Sequence, residues 1–323
     1  MNMKDLRIVF MGTPDFATES LKTIYEKGLN IAGVITAPDK PSGRGLKLIP
    51  SSVKKYCIEK NIKLLQPEKL KDQNFINELK AFNGNLFVVV AFRMLPEVVW
   101  ELPEFGTINL HASLLPDYRG AAPINWAIIH GEKESGLTTF FIDKEIDTGK
   151  IILQKKLNIG VNETAGDLHD KLKTAGADLL IKTIALIADG NVSTISQSDH
   201  EKNNRRLKPA PKISKEDCQI NWNQPNINVH NFIRGLSPYP GAWTRLLSSD
   251  NQTILMKIYK SEIGEKKISG EAGVMETDGK TYLEICCSTD SVNILEIQTA
   301  GKKRMEIQEF LRGFQNLSSY TLG

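Results

Sequence analysis

Residues 106–123 read GTINLHASLLPDYRGAAP, and the rest of the chain is organised around this stretch. It begins as a short apolar run that alternates with the polar residues Asn109 and His111, and it ends in a turn rich in proline and glycine. Side chains two residues apart on a strand point the same way, so Asn109 and His111 should project together where the strand ends. Ligands of open α/β sheets bind beyond the carboxyl ends of strands. The stretch therefore predicts a site at this strand end.

The residues before this stretch have the pattern of a parallel α/β sheet. Residues 6–11 predict a buried strand, a helix follows through Tyr25, and residues 31–36 predict a second strand. The continuous apolar run at residues 86–91 predicts a central strand that is covered on both faces. The turn after the first strand holds Gly12 alone instead of G-x-G-x-x-G, and no acidic residue ends the second strand. A dinucleotide cofactor is therefore not expected.

The composition is that of an ordinary globular protein. The chain has 323 residues, of which 41% are hydrophobic and 24% charged, and this length predicts one large and one smaller domain. The formal net charge is only +3, so a polyanionic partner would have to bind local clusters of basic residues. Four cysteines without a C-x-x-C pair indicate neither a zinc site nor a disulfide framework, and no metal is expected. Because the sequence shows no signal peptide and no apolar run near the roughly 20 residues that span a bilayer, we expect a cytoplasmic protein.

One basic segment follows the second predicted strand. Residues 37–50 are rich in proline, glycine and basic residues, and they form a longer loop than most strand-to-helix connections. Arg44 and Lys47, with Lys54 and Lys55 after them, predict a flexible cationic finger that can contact phosphates. A solvated mobile loop without a partner is the alternative, and the sequence alone favours neither.

A second basic segment separates two regions of different pattern. Residues 196–213 are polar, basic and twice interrupted by proline, which predicts a linker. Short strand-like runs separated by turns follow it between residues 242 and 297, and they predict a small β-barrel or sandwich. The predicted organisation is therefore a domain over residues 1–195, a linker, and a C-terminal domain over residues 214–323.

Three polar residues fit the transfer of a one-carbon acyl group between nitrogen atoms. Asn109 can donate an N–H to the developing oxyanion, and His111 can donate to the same oxygen or move the proton of the amine. Asp147, in the segment Asp147-Thr148-Gly149, can hold the imidazole. Each residue alone also fits a structural role, as a turn residue or as a histidine at a strand end.

Two motifs resemble the signature of the 10-formyltetrahydrofolate-dependent formyltransferases. They are NLHASLLP at residues 109–116 and DTG at residues 147–149. Other segments are similar to the branch of this family that acts on initiator methionyl-tRNA: GTPDF at 12–16, PDKPSGRG at 38–45, RGAAPI at 119–124 and AGKKRM at 300–305. The resemblance covers essentially the whole chain.

The resemblance implies a fold and a reaction. The implied fold is α/β, with a Rossmann-like, mostly parallel sheet in an N-terminal formyltransferase domain and a smaller C-terminal OB-like β-barrel that binds tRNA. The implied reaction moves the formyl group of the co-substrate 10-formyltetrahydrofolate to the amino group of methionyl-initiator-tRNA, for translation initiation. Asn109 and His111 would stabilise the oxyanion and move protons, and Asp147 would orient and tune His111. We expect a monomer.

The resemblance also implies binding residues. Ser113, Leu114, Leu115 and Pro116 would line the folate pocket. The loop around Arg44 and Lys47 would enter the acceptor end of the tRNA. The linker residues Arg205, Arg206 and Lys208 lie where an RNA backbone can run between the two domains.

One departure from the family pattern lies after the central strand. The family has Ala-Tyr-Gly there, whereas this chain has Ala91-Phe92-Arg93. The change removes a hydroxyl and adds a cation beside the expected folate site. Arg93 can pair with the glutamate tail of the folate, or it can point away.

Two other functions remain open from the sequence. The first is formylation of a small amine, either an amino sugar nucleotide or glycinamide ribonucleotide. The basic loop around Arg44 and the C-terminal β domain favour tRNA over these, because a small acceptor needs neither. The second is a catalytically inert RNA-binding relative, against which the presence of Asn109, His111 and Asp147 argues.

Overall fold

The computed structural model describes residues 2–42, 47–198, 206–248, 252–264, 270–314 and 317–323. The chain divides into two compact units. The first comprises Met1–Gly120, Ser135–Leu157 and His169–Pro209, and the second Ala121–Glu134, Asn158–Leu168 and Ala210–Gly323. The domain boundaries at residues 195 and 213 stay a prediction of the sequence.

The N-terminal part of the chain alternates strands with helices. Its strands are β1 (Ile8–Gly12), β2 (Ile31–Ile35), β3 (Lys40–Ser42), β4 (Lys47–Ile49), β5 (Leu64–Leu65), β6 (Leu86–Val90), β7 (Thr107–His111), β8 (Arg119–Gly120), β9 (Glu134–Phe141) and β10 (Ile151–Asn158). Its helices are α1 (Asp15–Glu26), α2 (Ser52–Glu59), α3 (Gln73–Ala81), α4 (Glu97–Trp100), α5 (Pro123–Ile129) and α6 (Ala165–Ala188), and a 3₁₀ turn precedes them at Met3–Asp5.

The main sheet confirms the predicted mostly parallel α/β fold. Its strand order is β10-β9-β7-β6-β1-β2-β5. The four pairs from β7 to β5 are parallel, and β9 runs antiparallel to β7. The sheet brings β7, the strand that ends at His111, between β6 and β9.

The central strands form the core of the first unit. Every residue of β1 and β6 is buried, as the apolar run at residues 86–91 predicts. Phe10 and Phe87 are almost fully buried there, and a buried side chain of this kind contributes about 1.5–3 kcal/mol to folding. This packing holds the end of β7 in a fixed place.

The C-terminal part is an antiparallel barrel. The remaining strands are β11 (Pro209–Ala210), β12 (Ala242–Ser248), β13 (Thr253–Ile263), β14 (Met275–Thr277), β15 (Leu283–Cys286), β16 (Ser291–Thr299), β17 (Met305–Glu306) and β18 (Tyr320–Leu322), and the remaining helices are α7 (Asn226–Gly235) and α8 (Ile307–Gly313), with 3₁₀ turns at Glu216–Cys218 and Leu317–Ser319. The sheet has the order β14-β15-β16-β13-β12-β18, with β17 on β16, and it curls into a nearly closed barrel. Trp243, Met256 and Ile258 are buried in its core, where Val229 and Ile233 of α7 join them. The predicted OB-like barrel is confirmed.

Two features differ from the sequence prediction. Residues 37–50 contain the antiparallel hairpin β3–β4, which the sequence presented only as a loop. The sequence did not predict β10, because half of its residues are exposed and polar and its apolar alternation is weak. Among the helices that the structure describes, none has both the length and the apolar character needed to cross a bilayer.

Candidate active site

His111 is the last residue of β7, and its ring is held by a backbone carbonyl. The side chain is 7% exposed, and Nε2 lies 2.8 Å from the carbonyl oxygen of Tyr118. A carbonyl only accepts hydrogen bonds, so Nε2 must carry a proton and donate it to Tyr118. Nδ1 is therefore the nitrogen of His111 that can take up or release a proton.

Asp147 lies beside this nitrogen. Its Oδ2 is 3.7 Å from Nδ1 of His111, and the same oxygen accepts a hydrogen bond of 2.9 Å from the backbone N–H of Gly120. A distance of 3.7 Å is an ion-pair contact and too long for a hydrogen bond. The structure thus brings His111 and Asp147 together, with the ring oriented by Tyr118 and the carboxylate placed to stabilise a positive charge on the ring.

The loop that carries Asp147 is held by Gln197. The Gln197 carboxamide donates to the carbonyl oxygens of Asp147 and Gly149 at 2.9 and 2.8 Å, and it accepts two hydrogen bonds from the guanidinium of Arg119. Gln197 is 3% exposed, although the sequence placed it in the linker. A Cβ on Gly149 would lie 1.7 Å from the carbonyl oxygen of Phe141, so only glycine lets the loop approach β9 this closely. The position of Asp147 depends on both contacts.

Asn109 stands two residues before His111 on the same strand. It is half-buried, and its carboxamide makes no hydrogen bond to any residue that the structure describes. Strand geometry places its side chain on the same side of β7 as that of His111. Asn109 therefore presents, on the side of β7 that carries His111, a carboxamide with no partner among the described residues, and its part in the site stays a prediction.

The segment predicted to line the folate pocket is mostly buried. The Ser113 hydroxyl donates to the carbonyl of Asp117 at 2.7 Å, and the Leu115 N–H donates to Thr138 at 3.1 Å. Ser113, Leu115 and Pro116 are buried, whereas Leu114 is half-buried. Leu114 is thus the member of this segment that offers apolar surface to a ligand, and the folate pocket stays a prediction.

The residues predicted to contact tRNA differ in where the structure places them. Arg44 and Arg205 lie outside the described residues. Lys47 is the first residue of β4. Arg206 is exposed and Lys208 is half-buried. Their contact with RNA stays a prediction.

Lys208 also has a structural role that the sequence does not indicate. Its backbone N–H donates to the carboxylate of Asp117 at 3.1 Å, and its carbonyl accepts from the N–H of Tyr118 at 2.6 Å. Part of the predicted linker therefore supports the residue that orients His111. The sequence does not indicate the roles of Tyr118 and Gln197. The contacts at Tyr118 use backbone atoms, and Gln197 is far in sequence from the loop that it holds. Neither kind of contact leaves a local sequence pattern.

Arg93 is engaged by backbone carbonyls. Its guanidinium donates to the carbonyl oxygens of Pro67 and of Glu68, the latter at 2.8 Å, and it lies 5.6 Å from the centre of the Phe92 ring. Burial lowers the pKa of Arg93. The extra cation of this chain thus has partners within the protein.

One group of acidic and histidine side chains could in principle hold a metal ion. Ligand atoms of Asp15, His169 and Asp170 lie within 4.8 Å of one another. The ammonium of Lys173, however, lies 2.9 Å from Asp170 and 3.4 Å from Asp15. The cluster is best described as an ion-pair network, in which Lys173 lowers the pKa of Asp170.

Comparisons with known proteins agree with this fold. The family model "Formyl transferase" matches residues 6–184, and "Formyl transferase, C-terminal domain" matches residues 212–315. A solved sugar 3N-formyl transferase superimposes with a TM-score of 0.63 at 24% identity, covering 94% of this chain and 100% of its own. An N-formyltransferase from Helicobacter canadensis gives 0.61 at 25% identity, covering 90% and 98%. The sheet, the barrel and these matches define the class: this is a formyltransferase, an enzyme that transfers a formyl group.

Sequence relatives narrow this class. The methionyl-tRNA formyltransferase of Parabacteroides distasonis is 51% identical, and the alignment covers 100% of both chains. That of Bacteroides thetaiotaomicron is 50% identical with the same coverage. The chain belongs to the family of methionyl-tRNA formyltransferases.

Proposed function

We propose that this chain transfers the formyl group of 10-formyltetrahydrofolate to the amino group of methionyl-initiator-tRNA. One observation carries the proposal: Nδ1 of His111, at the end of β7, faces Asp147, and the same strand presents the carboxamide of Asn109, which has no partner among the described residues. These are the groups that acyl transfer to an amine requires, in a chain from a family whose members are named for that reaction.

The proton is moved at Nδ1 of His111. As the amine attacks the formyl carbon, a new N–C bond forms and the amine releases a proton, which Nδ1 accepts because Nε2 already donates to Tyr118. Asp147 stabilises the resulting imidazolium across 3.7 Å. When the C–N bond of the donor breaks, the same proton passes to the leaving nitrogen, and the ring is neutral again.

Asn109 stabilises the negative charge that develops on the formyl oxygen. Its carboxamide has no partner to give up among the described residues, so it can donate without reorganisation. One such donor contributes about 2.7–4 kcal/mol to the stability of an oxyanion transition state. We assign Ser113–Pro116 to binding of the donor folate, since Leu114 in this segment keeps partly exposed apolar surface.

The assignment of tRNA as the partner follows from the local basic segments and from the family to which the chain belongs. We assign Arg44, Lys47, Arg205, Arg206 and Lys208 to the tRNA backbone, since a chain of net charge +3 binds a polyanion through local basic segments. The reaction needs no metal ion in this scheme. We further propose that the enzyme acts as a monomer in the cytoplasm.

An acceptor assay tests the proposed function. Purified protein with 10-formyltetrahydrofolate should formylate methionyl-initiator-tRNA but not free methionine, an amino sugar nucleotide or glycinamide ribonucleotide. Uncharged initiator tRNA, which lacks the amine, serves as the negative control. If a small amine were formylated as fast as methionyl-initiator-tRNA, the proposed acceptor would be wrong. If the protein bound tRNA without transferring a formyl group, it would be a catalytically inert relative.

A further inference from the structure

The hairpin β3–β4 is a surface feature with little core of its own. Leu48 and Ile49 of β4 are 65% and 47% exposed, so hydrophobic packing fixes the hairpin only weakly. Its direction therefore depends on contacts at its base, where the chain leaves β2 and enters α2.

A cluster of polar side chains occupies this base. Asp39, the residue before β3, receives one donor on each carboxylate oxygen. The ammonium of Lys54 lies 2.7 Å from Oδ2, and the carboxamide of Gln66 donates to Oδ1 at 2.9 Å. Gln66 also donates to the carbonyl of Ala37 at 2.9 Å. We call Asp39, Lys54 and Gln66 the hairpin anchor.

A second contact joins the two ends of the hairpin segment. The hydroxyl of Thr36 at the end of β2 lies 2.9 Å from that of Ser51, which caps α2 by accepting from the backbone N–H of Lys54. Thr36 is fully buried. The anchor thus binds the base of the hairpin to α2 and to the segment after β5, both of which pack in the first unit.

We infer that the hairpin anchor positions the β3–β4 hairpin for the acceptor end of tRNA, and that Lys54 acts through Asp39 instead of through a phosphate. This inference rests on the proposed function. Charge-assisted hydrogen bonds are the stronger kind, and two of them on a single carboxylate fix its direction. A pre-oriented hairpin avoids the cost of ordering during association.

The electrostatics of Asp39 agree with a persistent contact. The hydrogen bond from Lys54, followed by that from Gln66, lowers the pKa of Asp39, so its carboxylate stays ionised around neutral pH. Lys80, in α3 of the same unit, provides a natural contrast. It is exposed and forms no ion pair with any residue in the described ranges.

Kinetics with matched variants tests the inference. Lys54→Met removes the ammonium but keeps the aliphatic chain, and Lys80→Met makes the same charge change in α3. We expect Lys54→Met to raise KM for methionyl-initiator-tRNA roughly tenfold with kcat within about twofold of wild type, because ordering the hairpin then costs binding free energy. Lys80→Met should change neither value by more than about twofold, and Lys54→Arg, which can still pair with Asp39, should restore KM.

Limited trypsin digestion of the free protein gives a second, independent measurement. Each methionine variant loses one lysine, so both have the same number of trypsin cleavage sites. We expect cleavage at Arg44 and Lys47 to be several times faster in Lys54→Met than in wild type or Lys80→Met.

Equal behaviour of the two methionine variants in both assays would overturn the inference. Failure of the wild-type chain to formylate methionyl-tRNA would instead overturn the proposed function. In that case the digestion still reports whether Lys54 holds the hairpin, so the two failures can be told apart.

Discussion

The imidazole of His111 has two nitrogens with different environments, and this difference defines its chemistry. Nε2 is fixed as a donor to the carbonyl of Tyr118, whereas Nδ1 faces the carboxylate of Asp147. The ring can therefore gain and lose a proton at one atom while its orientation stays constant. A side chain with this arrangement suits a reaction in which one nitrogen releases a proton and another takes it up.

Single substitutions of Asn109 and His111 test the roles assigned to them, Asn109 as oxyanion donor and His111 as acid–base group. Asn109→Ala should lower kcat by about 10²–10³, the range for loss of one oxyanion donor. His111→Ala should lower kcat by about 10²–10⁴, the range for loss of an acid–base group. Steady-state kinetics measures both, with circular dichroism to confirm the fold.

His169→Ala is the control, since this histidine lies in an ion-pair network of the same unit. It should retain kcat within about threefold of wild type. If turnover of the Asn109 or His111 variant remained near normal, the assigned role of that residue would be wrong.

The sequence could indicate Asn109, His111 and Asp147, but not the groups that hold them. The alternation along β7 and the position of Asp147-Thr148-Gly149 are properties of residue type and spacing. The carbonyl of Tyr118 and the N–H of Gly120 are backbone groups, which every residue has. Only the fold shows which of them meet the site.

At the scale of elements, the connection between β9 and β10 decides where Asp147 lies. It is held from one side by Gln197 and from the other by its contact with the end of β9. Asp147 itself has φ = 56°, a left-handed conformation that Asp adopts more easily than most residues. The carboxylate is thus positioned by its loop and not by a hydrogen bond to His111.

Gly149→Ala tests the dependence on this loop. The new methyl group would overlap the carbonyl oxygen of Phe141 at 1.7 Å, so the loop must shift and carry Asp147 away from His111. We expect kcat to fall by at least about tenfold, since small displacements of a catalytic group have large effects. Formylation kinetics and thermal unfolding would be measured together.

Gly313→Ala is the matched control, because among the described residues no atom beyond its chain neighbours and the backbone of its own helix lies within 4 Å of its added Cβ, and its φ is not in the left-handed region. This variant should retain both activity and thermal stability. A Gly149→Ala protein with unchanged kcat would show that the loop has room to adapt.

Elements with strong apolar patterns were predictable, and those without them were not. The buried strands β1 and β6 follow from continuous apolar runs. The hairpin β3–β4 was presented as a loop because its strands have three residues each and exposed side chains such as Leu48. The contacts at its base join Asp39, Lys54 and Gln66, which are separated by up to 27 residues in sequence.

At the scale of the whole molecule, the pattern of elements predicted an α/β sheet followed by a β-barrel or sandwich, and the resemblance implied a barrel. The α/β sheet and the barrel are confirmed. The two compact units do not follow one another along the chain, as the two predicted domains do. Segments 121–134 and 158–168 belong with the C-terminal unit, although they lie within the predicted N-terminal domain. Such an interleaved division depends on long-range contacts, which leave no change in composition at the boundaries.

The small net charge of the molecule has a consequence for tRNA binding. A chain with 41 basic and 38 acidic residues has a weak overall field, so affinity for a polyanion must come from a few phosphate contacts made by local clusters. Each contact that releases a counterion contributes roughly 0.7–0.9 to the slope of log affinity against log salt concentration. Removal of one cation should therefore be visible in that slope.

Arg44→Ala should weaken binding of initiator tRNA and reduce the magnitude of this salt slope by about 1, because one phosphate contact is lost. Titrations at four or more salt concentrations measure the slope, and kcat at saturating tRNA should stay within about threefold. Lys80→Ala removes the same charge from an exposed position of α3 and should leave the slope unchanged. If Arg44→Ala retained the full slope, the loop at residues 37–50 would not contact phosphate, and the remaining basic residues of the predicted linker would have to account for the affinity.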